Sequence, residues 1–386
     1  MELPASAEVV IIGGGIMGLS IAHRLAADGV RDVVLLEQAQ LGSGSTCRAA
    51  GGVRAQFSDE INIALGLRGL EVFESFAQDF GQEIDLNQCG YLFLIDEPGA
   101  LASFEQNVAL QNSMGVQSRM LDASEARRLA PSAGMDVLGA AFHPRDGHCT
   151  PESVVLGLAA AARRQGVRIV TGCRFEGAGE AEPGSGRRAL RTSAGTIQAA
   201  AVVCAAGAWS AAIGDAFGVP LPVRPLRRQI LVTGPLPDLD PALPFTIDFA
   251  TSLYFHREGA GLLIGAPERE PTWGFEPRRS DEWLADTAEL IAERFPGLSE
   301  IDVASGWAGL YEMTPDHNAL VGEHADDDGF RFLYAAGFSG HGFLMGPGIG
   351  EVMADLYAAR PPWVDVSGLS AERFTEGVER PELNIV

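Results

Sequence analysis

The chain has 386 residues, of which 46% are hydrophobic, and a formal net charge of −23 from 28 basic and 51 acidic residues. This length predicts about two domains, and the acidity argues against binding to a nucleic-acid backbone, which requires basic surfaces. All 28 basic residues are arginine and the chain has no lysine, so chemistry through a lysine Schiff base is excluded.

The apolar segments of the chain are short, and none approaches the roughly 20 residues of a membrane-spanning helix. The first of them, Val9–Ile12, is followed at once by three glycines, which is not the pattern of a signal peptide. Five scattered cysteines without a C-x-x-C pair are typical of free thiols in a reducing compartment. We therefore predict a soluble, cytoplasmic protein with no membrane span, no metal site and no nucleic-acid partner.

The N-terminal segment predicts one βαβ unit. Glu8–Ile12 is an apolar run typical of a buried parallel strand. An amphipathic helix follows and ends at Gly29. Asp32–Leu36 predicts the next strand, and Glu37 stands at its end.

The remaining elements alternate between helical and extended patterns. Helices are predicted from an N-cap at Ser58 to about Phe76, over Leu101–Met114 and Ser124–Leu129, from Thr150-Pro151 through Ala162, and over Asp281–Phe295 with Ser280 as its cap. Strands are predicted at Tyr91–Ile95, Val167–Val170, Ala201–Ala205, several times within Leu221–Gly265, and at Phe332–Ala336, with a hairpin tip at Glu180–Arg188 and a last helix around Ile349–Leu356.

These elements predict an α/β (α+β) protein of two domains whose sequences alternate. One is a Rossmann-like dinucleotide-binding domain, and the other is built on an antiparallel sheet. The predicted ranges are 1–88, 148–219 and 320–386 for the first domain, and 89–147 and 220–319 for the second.

The turn after the first strand carries the motif Gly13-x-Gly15-x-x-Gly18. The glycines permit a tight turn, close approach of a pyrophosphate, and close packing of helix on strand, while the helix N-terminus favours the phosphate charge. Glu37, which lies 19 residues after Gly18, is placed to accept hydrogen bonds from ribose hydroxyls and disfavours NADP. Ile16 and Met17 of the same turn are also predicted to contact the cofactor.

Two further segments favour FAD over NAD. Leu41–Arg54 is a long stretch of small and polar residues, and residues 335–343 form a second glycine-rich turn between a strand and a helix. FAD is extended enough to contact both, whereas an ordinary surface loop is the alternative for the first. The cofactor contacts predicted here are Gly44, Ser45, Thr46, Arg48, Ala50, Gly51, Gly52, Gly337, Gly340, His341, Gly342 and Phe343.

With these motifs the chain resembles the D-amino-acid oxidase superfamily. Within it, the chain resembles the branch of sarcosine oxidase, dimethylglycine dehydrogenase and dye-linked proline dehydrogenase. The matching segments span the chain at 9–26, 33–46, 205–210, 311–322 and 335–351. The resemblance implies an FAD domain, a sheet that covers the flavin, and oxidation of a C–N bond beside a carboxylate by hydride transfer. It also implies cofactor contacts at Gly207, Trp209 and Gly309.

The chain departs from these relatives at four positions. Gly309-Leu310 and Arg48 stand where relatives attach flavin through cysteine or histidine, so we predict non-covalent FAD. Leu263 stands where sarcosine oxidases place an oxygen-activating lysine, and Leu344 where monomeric ones place a carboxylate-binding lysine. The chain is therefore not a simple copy of monomeric sarcosine oxidase.

Four residues are predicted to act on the substrate. Arg54 is the candidate carboxylate binder, because a guanidinium grips a carboxylate with two hydrogen bonds; a surface arginine is the alternative. Tyr254 and His256 share one strand face, which the resemblance directs at the substrate, and His256 is a candidate proton acceptor. Tyr311 is expected to line the pocket or to be a core aromatic. Arg227-Arg228 is the pattern of a solvated pair, although the resemblance places it at the domain junction.

The predicted function is an FAD-dependent oxidase or dehydrogenase of a secondary or tertiary amino acid. The alternative is a non-catalytic FAD-binding subunit or assembly factor, which would not need Arg54, Tyr254 and Tyr311 in one pocket. An NAD-linked dehydrogenase is a third hypothesis. A hetero-oligomeric or electron-accepting partner is left open.

Overall fold

The computed structural model describes residues 2–182 and 186–384. The helices of this part are α1 (Ile16–Ala27), α2 (Glu60–Phe80), α3 (Pro98–Ser113), α4 (Ala123–Leu129), α5 (Pro151–Arg164), α6 (Ser210–Ala216), α7 (Asp281–Arg294) and α8 (Gly342–Tyr357). The strands are β1 (Ser6–Ile12), β2 (Val33–Glu37), β3 (Gly52–Val53), β4 (Tyr91–Ile95), β5 (Arg119–Asp122), β6 (Gly139–His143), β7 (Gly147–His148), β8 (Arg168–Thr171), β9 (Phe175–Glu182), β10 (Arg187–Thr192), β11 (Gly195–Cys204), β12 (Arg224–Thr233), β13 (Phe245–Asp248), β14 (Leu253–Glu258), β15 (Gly261–Ala266), β16 (Val303–Met313), β17 (Leu320–Ala325) and β18 (Arg331–Ala336).

The first sheet has the order β17-β18-β11-β1-β2-β8, and the hairpin β9–β10 joins it at β11. The pairs from β18 to β8 are parallel, whereas β17 is antiparallel to β18. Both faces are covered: α1, α2, α5 and α8 contribute to the core on one side and α6 to the core on the other. Side chains along β1 alternate between these cores, which explains why the strand is apolar throughout.

The second sheet has the order β16-β12-β15-β14-β13-β4-β6-β5. Its pairs are antiparallel except for β13 with β4, which come from two separate excursions of the chain and run parallel. The antiparallel sheet predicted from the sequence is thus mixed at one pair. Helices α4 and α7 pack on one face, and α3 contributes Phe104 and Val108 to the aromatic-rich core of the other.

The two sheets draw on alternating parts of the sequence. Strands of the first fall within residues 6–37, 168–204 and 320–336, and those of the second within 91–143 and 224–313. The α/β class is confirmed, while the exact domain limits remain an interpretation of this alternation.

Several element boundaries differ from the sequence prediction. Helix α2 is capped by Asp59, whose carboxylate accepts from the N–H groups of Ile61 (2.9 Å) and Asn62, and it ends at Gly81 in the left-handed conformation. The predicted cap, Ser58, instead donates its hydroxyl to Glu382 at 2.7 Å. Thr150 does precede α5, but its hydroxyl bonds the carboxylate of Asp85 rather than the helix.

Three further expectations concern a membrane span, a metal site and a hairpin tip. No helix among the described residues has the length and hydropathy needed to cross a membrane. Within residues 2–182 and 186–384 no group of three or more histidine, cysteine and acidic side chains is arranged to hold a metal ion. The predicted hairpin tip at Glu180–Arg188 includes residues 183–185, which lie outside the described residues.

Candidate active site

A cavity of about 600 Å³ lies between the nucleotide turn of the first sheet and the inner face of the second. This volume falls within the range of roughly 300–1,000 Å³ that is usual for small-molecule and cofactor sites. Most predicted site residues line it: Gly13, Gly15, Ile16, Met17, Glu37, Gly44, Ser45, Thr46, Arg48, Ala50, Gly51, Gly52, Arg54, Gly207, Trp209, Tyr254, Gly309, Tyr311, Gly340, His341, Gly342 and Phe343. Gly18, His256 and Gly337 do not line it.

The glycine turn at the start of α1 forms one wall. Gly13 has a φ of +116°, and a Cβ atom there would lie 2.2 Å from the carbonyl oxygen of Ala205, so no other residue fits. Gly18 lies beneath the turn, against the carbonyl of Gly13, which is why it packs the helix without reaching the cavity. The first turn of α1 carries no acidic residue, and its N-terminus is a favourable position for phosphate charge.

Glu37 is held in a fixed orientation at the end of β2. Its carboxylate accepts from the N–H groups of Gly14 at 2.8 Å and Ala39 at 2.7 Å, one to each oxygen. Each carboxylate oxygen can accept more than one hydrogen bond. The side chain therefore keeps acceptor capacity for ribose hydroxyls.

The segment Leu41–Arg54 is tied to the second sheet and is not an ordinary surface loop. The hydroxyl of Ser45 donates to the carbonyl of Leu310 at 2.6 Å, and the guanidinium of Arg48 donates to that of Ala308 at 3.0 Å. Gly309 faces Arg48 so closely that a Cβ atom on the glycine would lie 3.0 Å from the Cβ of the arginine. The two positions where relatives attach flavin are thus neighbours in this fold.

Arg54 is a buried cation at the edge of the cavity. It is 3% exposed, donates to the carbonyls of Gln56 and Asn384 (2.6 Å to the latter), and packs over the ring of Phe57 at 4.1 Å. Among the described residues no carboxylate lies within 4.0 Å of its guanidinium. Desolvation lowers its pKa, while Tyr91 and the nearby carboxyls raise it. A buried guanidinium that lacks an anionic partner is suited to receive one from a ligand.

Tyr311 stands beside two cationic side chains in the same cavity. Its phenol has a pKa raised by burial and lowered by Arg228 and Arg54. Arg228 lies over its ring at 5.3 Å. Gly340, with a φ of +98°, permits this placement, since a Cβ atom there would lie 2.5 Å from the tyrosine ring.

Tyr254 and His256 lie on the same face of β14 but have different surroundings. Tyr254 lines the cavity, and burial raises the pKa of its phenol well above the ordinary value. His256 is 1% exposed, stacks on Phe245, and has its ring nitrogens at 2.9 and 3.0 Å from the carbonyls of Arg257 and Ala50. Burial lowers its pKa to about 4. His256 does not line the cavity, so its predicted contact with substrate is corrected. Both of its ring nitrogens lie at backbone carbonyls.

The turn before α8 forms the remaining wall. His341 is buried against Phe57 with ring centroids 5.2 Å apart, and its Nε2 atom has no hydrogen-bond partner among the described residues. Burial, with Arg54 and His317, lowers its pKa well below the ordinary value, so the ring is neutral at pH 7. Gly337 does not line the cavity, but its N–H donates at 3.0 Å to the carboxylate of Glu312, which does.

Arg228 and Glu312 are among the cavity residues that were not predicted from the sequence. The sequence pattern predicts a solvated pair, Arg227-Arg228, but Arg227 forms an ion pair with Glu268, whereas Arg228 has no ion pair among the described residues and faces Tyr311. Glu312 also lines the cavity, and desolvation raises its pKa to about 7 although two backbone N–H groups lower it. Alternation along β12 places Arg228 on the same face as Ile230, which also lines the cavity, whereas Glu312 adjoins Tyr311 on β16 and has no such signal.

The fold and cavity together define a class of protein: a dinucleotide-binding protein whose cavity extends from a βαβ turn to a second, covering sheet. The glycine cradle, the fixed carboxylate of Glu37 and the Nε2 atom of His341, which has no partner among the described residues, are compatible with FAD, from whose ribose hydroxyls Glu37 would accept hydrogen bonds. A sequence profile of the FAD dependent oxidoreductase family matches residues 8–356. The chain belongs to that family, so the family and the cofactor FAD predicted from the sequence are confirmed.

Individual relatives point to enzymes of amino-acid oxidation. The chain is 29% identical to mitochondrial dimethylglycine dehydrogenase of Mus musculus over 97% of its length, and 29% identical to mitochondrial sarcosine dehydrogenase of Homo sapiens over 96%. It spans 46% and 42% of those two proteins, less than half of each. Among solved structures, L-proline dehydrogenase from P. horikoshii matches with a TM-score of 0.89 at 30% identity, covering 98% of this chain and 100% of that one.

Proposed function

We propose that this protein is an FAD-dependent oxidase or dehydrogenase that oxidises the C–N bond of a secondary or tertiary amino acid by hydride transfer to flavin. The observation that carries the proposal is Arg54, a buried guanidinium with no carboxylate partner among the described residues, in the same cavity as Tyr254 and Tyr311. A non-catalytic FAD-binding subunit would not need this arrangement.

The side chains of the cavity suggest a division of tasks. Arg54 binds the substrate carboxylate, because pairing is the only inexpensive way to bury both charges. Tyr311 and Tyr254 keep their protons at neutral pH, since burial raises both pKa values, and so they act as hydrogen-bond donors and as walls. FAD, when bound, supplies the ring that accepts the hydride.

The structure does not support the expectation that His256 accepts a proton from the substrate amine. Both histidines near the cavity have lowered pKa values, and His256 has its nitrogens at backbone carbonyls. In the proposed reaction the amine therefore enters in its neutral form. The α-hydrogen leaves with its bonding electrons, and the resulting iminium ion hydrolyses after release.

The relatives support the substrate class. Dimethylglycine, sarcosine and proline, the substrates named in the three similar proteins, are all α-amino acids with an alkylated nitrogen. What they share is one carboxylate next to a C–N bond. In the proposed reaction this common group is what Arg54 binds.

The test is an anaerobic titration of the purified yellow protein with a panel of amino acids. Sarcosine, dimethylglycine, proline, glycine and D-amino acids are added in turn, and flavin reduction is followed by loss of its visible absorbance. We expect bleaching by at least one N-alkylated amino acid and none by the matching amine without a carboxylate. Bound FAD that no member of the panel reduces would favour the non-catalytic subunit, and a colourless protein that binds NAD would reject both.

A further inference from the structure

The guanidinium of Arg54 is held from two directions. One hydrogen bond goes to the carbonyl of Gln56, which is two residues away, and the other goes at 2.6 Å to the carbonyl of Asn384, which is 330 residues away. Asn384 is 1% exposed, although it is near the end of the chain. A part of the cavity's cationic centre therefore depends on a segment remote in sequence.

Glu382 organises this remote segment. One of its carboxylate oxygens accepts from the N–H of Ser58 (2.9 Å), the hydroxyl of Ser58 (2.7 Å) and the N–H of Asn384 (2.9 Å). The other accepts from the side-chain amide of Asn62 at 2.9 Å. The carboxylate is 1% exposed and stands at the N-terminus of α2, where the helix dipole favours negative charge.

The segment is also anchored on its N-terminal side. The Arg380 side chain pairs with Asp59, the N-cap of α2, and the Arg380 N–H donates to Asp316 at 3.1 Å. Asp316 is itself held by two hydrogen bonds of 2.9 Å from Arg373. The backbone from Arg380 to Asn384 is thus fixed at both ends by buried charged groups.

We propose that residues 380–384 form a positioning element for substrate, in which Glu382 fixes the Asn384 carbonyl and that carbonyl orients Arg54 toward the substrate carboxylate. This inference rests on the proposed function, because it assigns the segment to the same carboxylate site. Two carbonyls fix the plane of the guanidinium fork, and a bidentate grip requires a fixed plane. Without the Glu382 carboxylate, the N–H groups of Ser58 and Asn384 lose their common acceptor and the segment can shift.

The experiment compares Glu382→Ala with Glu379→Ala, which removes the same charge from an exposed position immediately before the segment. The first readout is the affinity for pyrrole-2-carboxylate, a planar carboxylate that cannot be oxidised, measured by the change it causes in the flavin spectrum. We expect Glu382→Ala to retain FAD and to bind the carboxylate about tenfold or more weakly, while Glu379→Ala binds like the wild type. Glu382→Gln keeps one acceptor oxygen for Ser58 and Asn384 and should restore most of the affinity.

The second readout is steady-state kinetics on an N-alkylated amino acid. Glu382→Ala should raise KM by about tenfold with a smaller change in kcat, because a mispositioned carboxylate binder weakens binding more than chemistry. If Glu382→Ala does not accumulate as folded protein, Glu382→Asp shortens the same side chain by one carbon and gives the same comparison.

The outcomes separate this inference from the proposed function. A Glu382 variant that loses thermal stability but binds the carboxylate as tightly as wild type would overturn the positioning role. A wild-type protein that binds pyrrole-2-carboxylate in an Arg54- and Glu382-dependent way, yet is reduced by no amino acid, would support the positioning role and overturn the proposed activity. A wild-type protein that binds no carboxylate would overturn both.

Discussion

Replacing Arg54 by alanine removes the only cationic side chain that is both in the cavity and fully buried among the described residues. We expect the variant to retain FAD and to lose about 2–5 kcal/mol of transition-state binding, the range for truncating one partner of a buried charge pair. The measurement is kcat/KM on a carboxylate substrate and on the matching amine without the carboxylate. The loss should be confined to the former.

Arg257 offers a matched control for this substitution. It follows His256 on β14 but does not line the cavity, and its guanidinium donates to the carbonyl of Gly259 at 3.1 Å. Arg257→Ala should leave both substrates nearly unaffected. An equal loss on both substrates in Arg54→Ala would instead make Arg54 structural.

Glu312 gives the apo-protein a pH-dependent stability. Its pKa rises from 4.5 to about 7 on burial, so between these values the folded state holds a proton that the unfolded state has lost. The stability contribution of Glu312 is therefore full below pH 4.5 and declines as the pH rises to about 7. Glu312→Gln cannot ionise, so its thermal stability relative to wild type should improve from about pH 5 to about pH 8. Glu376→Gln, at an exposed position, is the control, and a constant difference between Glu312→Gln and wild type would contradict the assignment.

At the residue scale, sequence reasoning succeeded where a residue's position follows from its local element. Gly13 and Glu37 end strands of one βαβ unit, so their meeting at the nucleotide turn is dictated by topology. His256 was misplaced because alternation specifies a face but not depth: Tyr254 reaches the cavity, whereas His256, two residues on, meets the carbonyl of Ala50. That contact joins residues 206 apart in sequence and leaves no local signal.

At the scale of elements, Gly340 in the turn before α8 has a positive φ and also lies against the ring of Tyr311 in the cavity. Gly340→Ala combines a left-handed φ with a clash against the ring of Tyr311. Gly329, at φ +79° with nothing within 4 Å, offers the same backbone penalty alone. Both alanine variants should lose about 1 kcal/mol from the left-handed conformation. Only Gly340→Ala should also change the flavin spectrum and kcat/KM, and equal effects of the two variants on the flavin would show that Tyr311 does not depend on this glycine.

The helix boundaries illustrate what local pattern can and cannot specify. Ser280 was correctly predicted to cap α7, because its hydroxyl accepts from the N–H of Trp283. Ser58 was wrongly predicted to cap α2, although its residue type and position were suitable. Its hydroxyl is taken by Glu382, 324 residues away, and the cap moves to Asp59. Tertiary contact outweighed a local preference worth about 1 kcal/mol.

At the scale of the whole molecule, the second sheet closes over the nucleotide turn through the contact of Arg48 with Gly309. The sequence resemblance relates these positions to covalent flavin attachment in some family members, and neither an arginine nor a glycine can form such a link. We therefore expect acid precipitation to release all of the FAD into the supernatant. Flavin absorbance that remains with the precipitated protein would contradict this prediction.

The second sheet also bears on the choice of electron acceptor. Where resembling oxidases have an oxygen-activating lysine, Leu263 is 3% exposed within the apolar face of the second sheet, and the chain contains no lysine elsewhere. Three other side chains are poor substitutes for this lysine: His256 and His341 have lowered pKa values and are neutral at pH 7, and Arg257 is outside the cavity.

Arg54 is committed to the substrate carboxylate in the proposed reaction, which leaves Arg228 as the cation closest to Tyr311. We therefore expect slower turnover with oxygen than with an artificial dye on the same substrate, measured as initial rates in air and under anaerobic conditions. Arg228→Gln should lower any residual oxygen rate more than the dye rate, because only the former needs a cation beside the developing superoxide. Faster turnover with oxygen in the wild type would show that the cavity activates oxygen without a lysine, and an unchanged ratio in Arg228→Gln would show that Arg228 is not responsible.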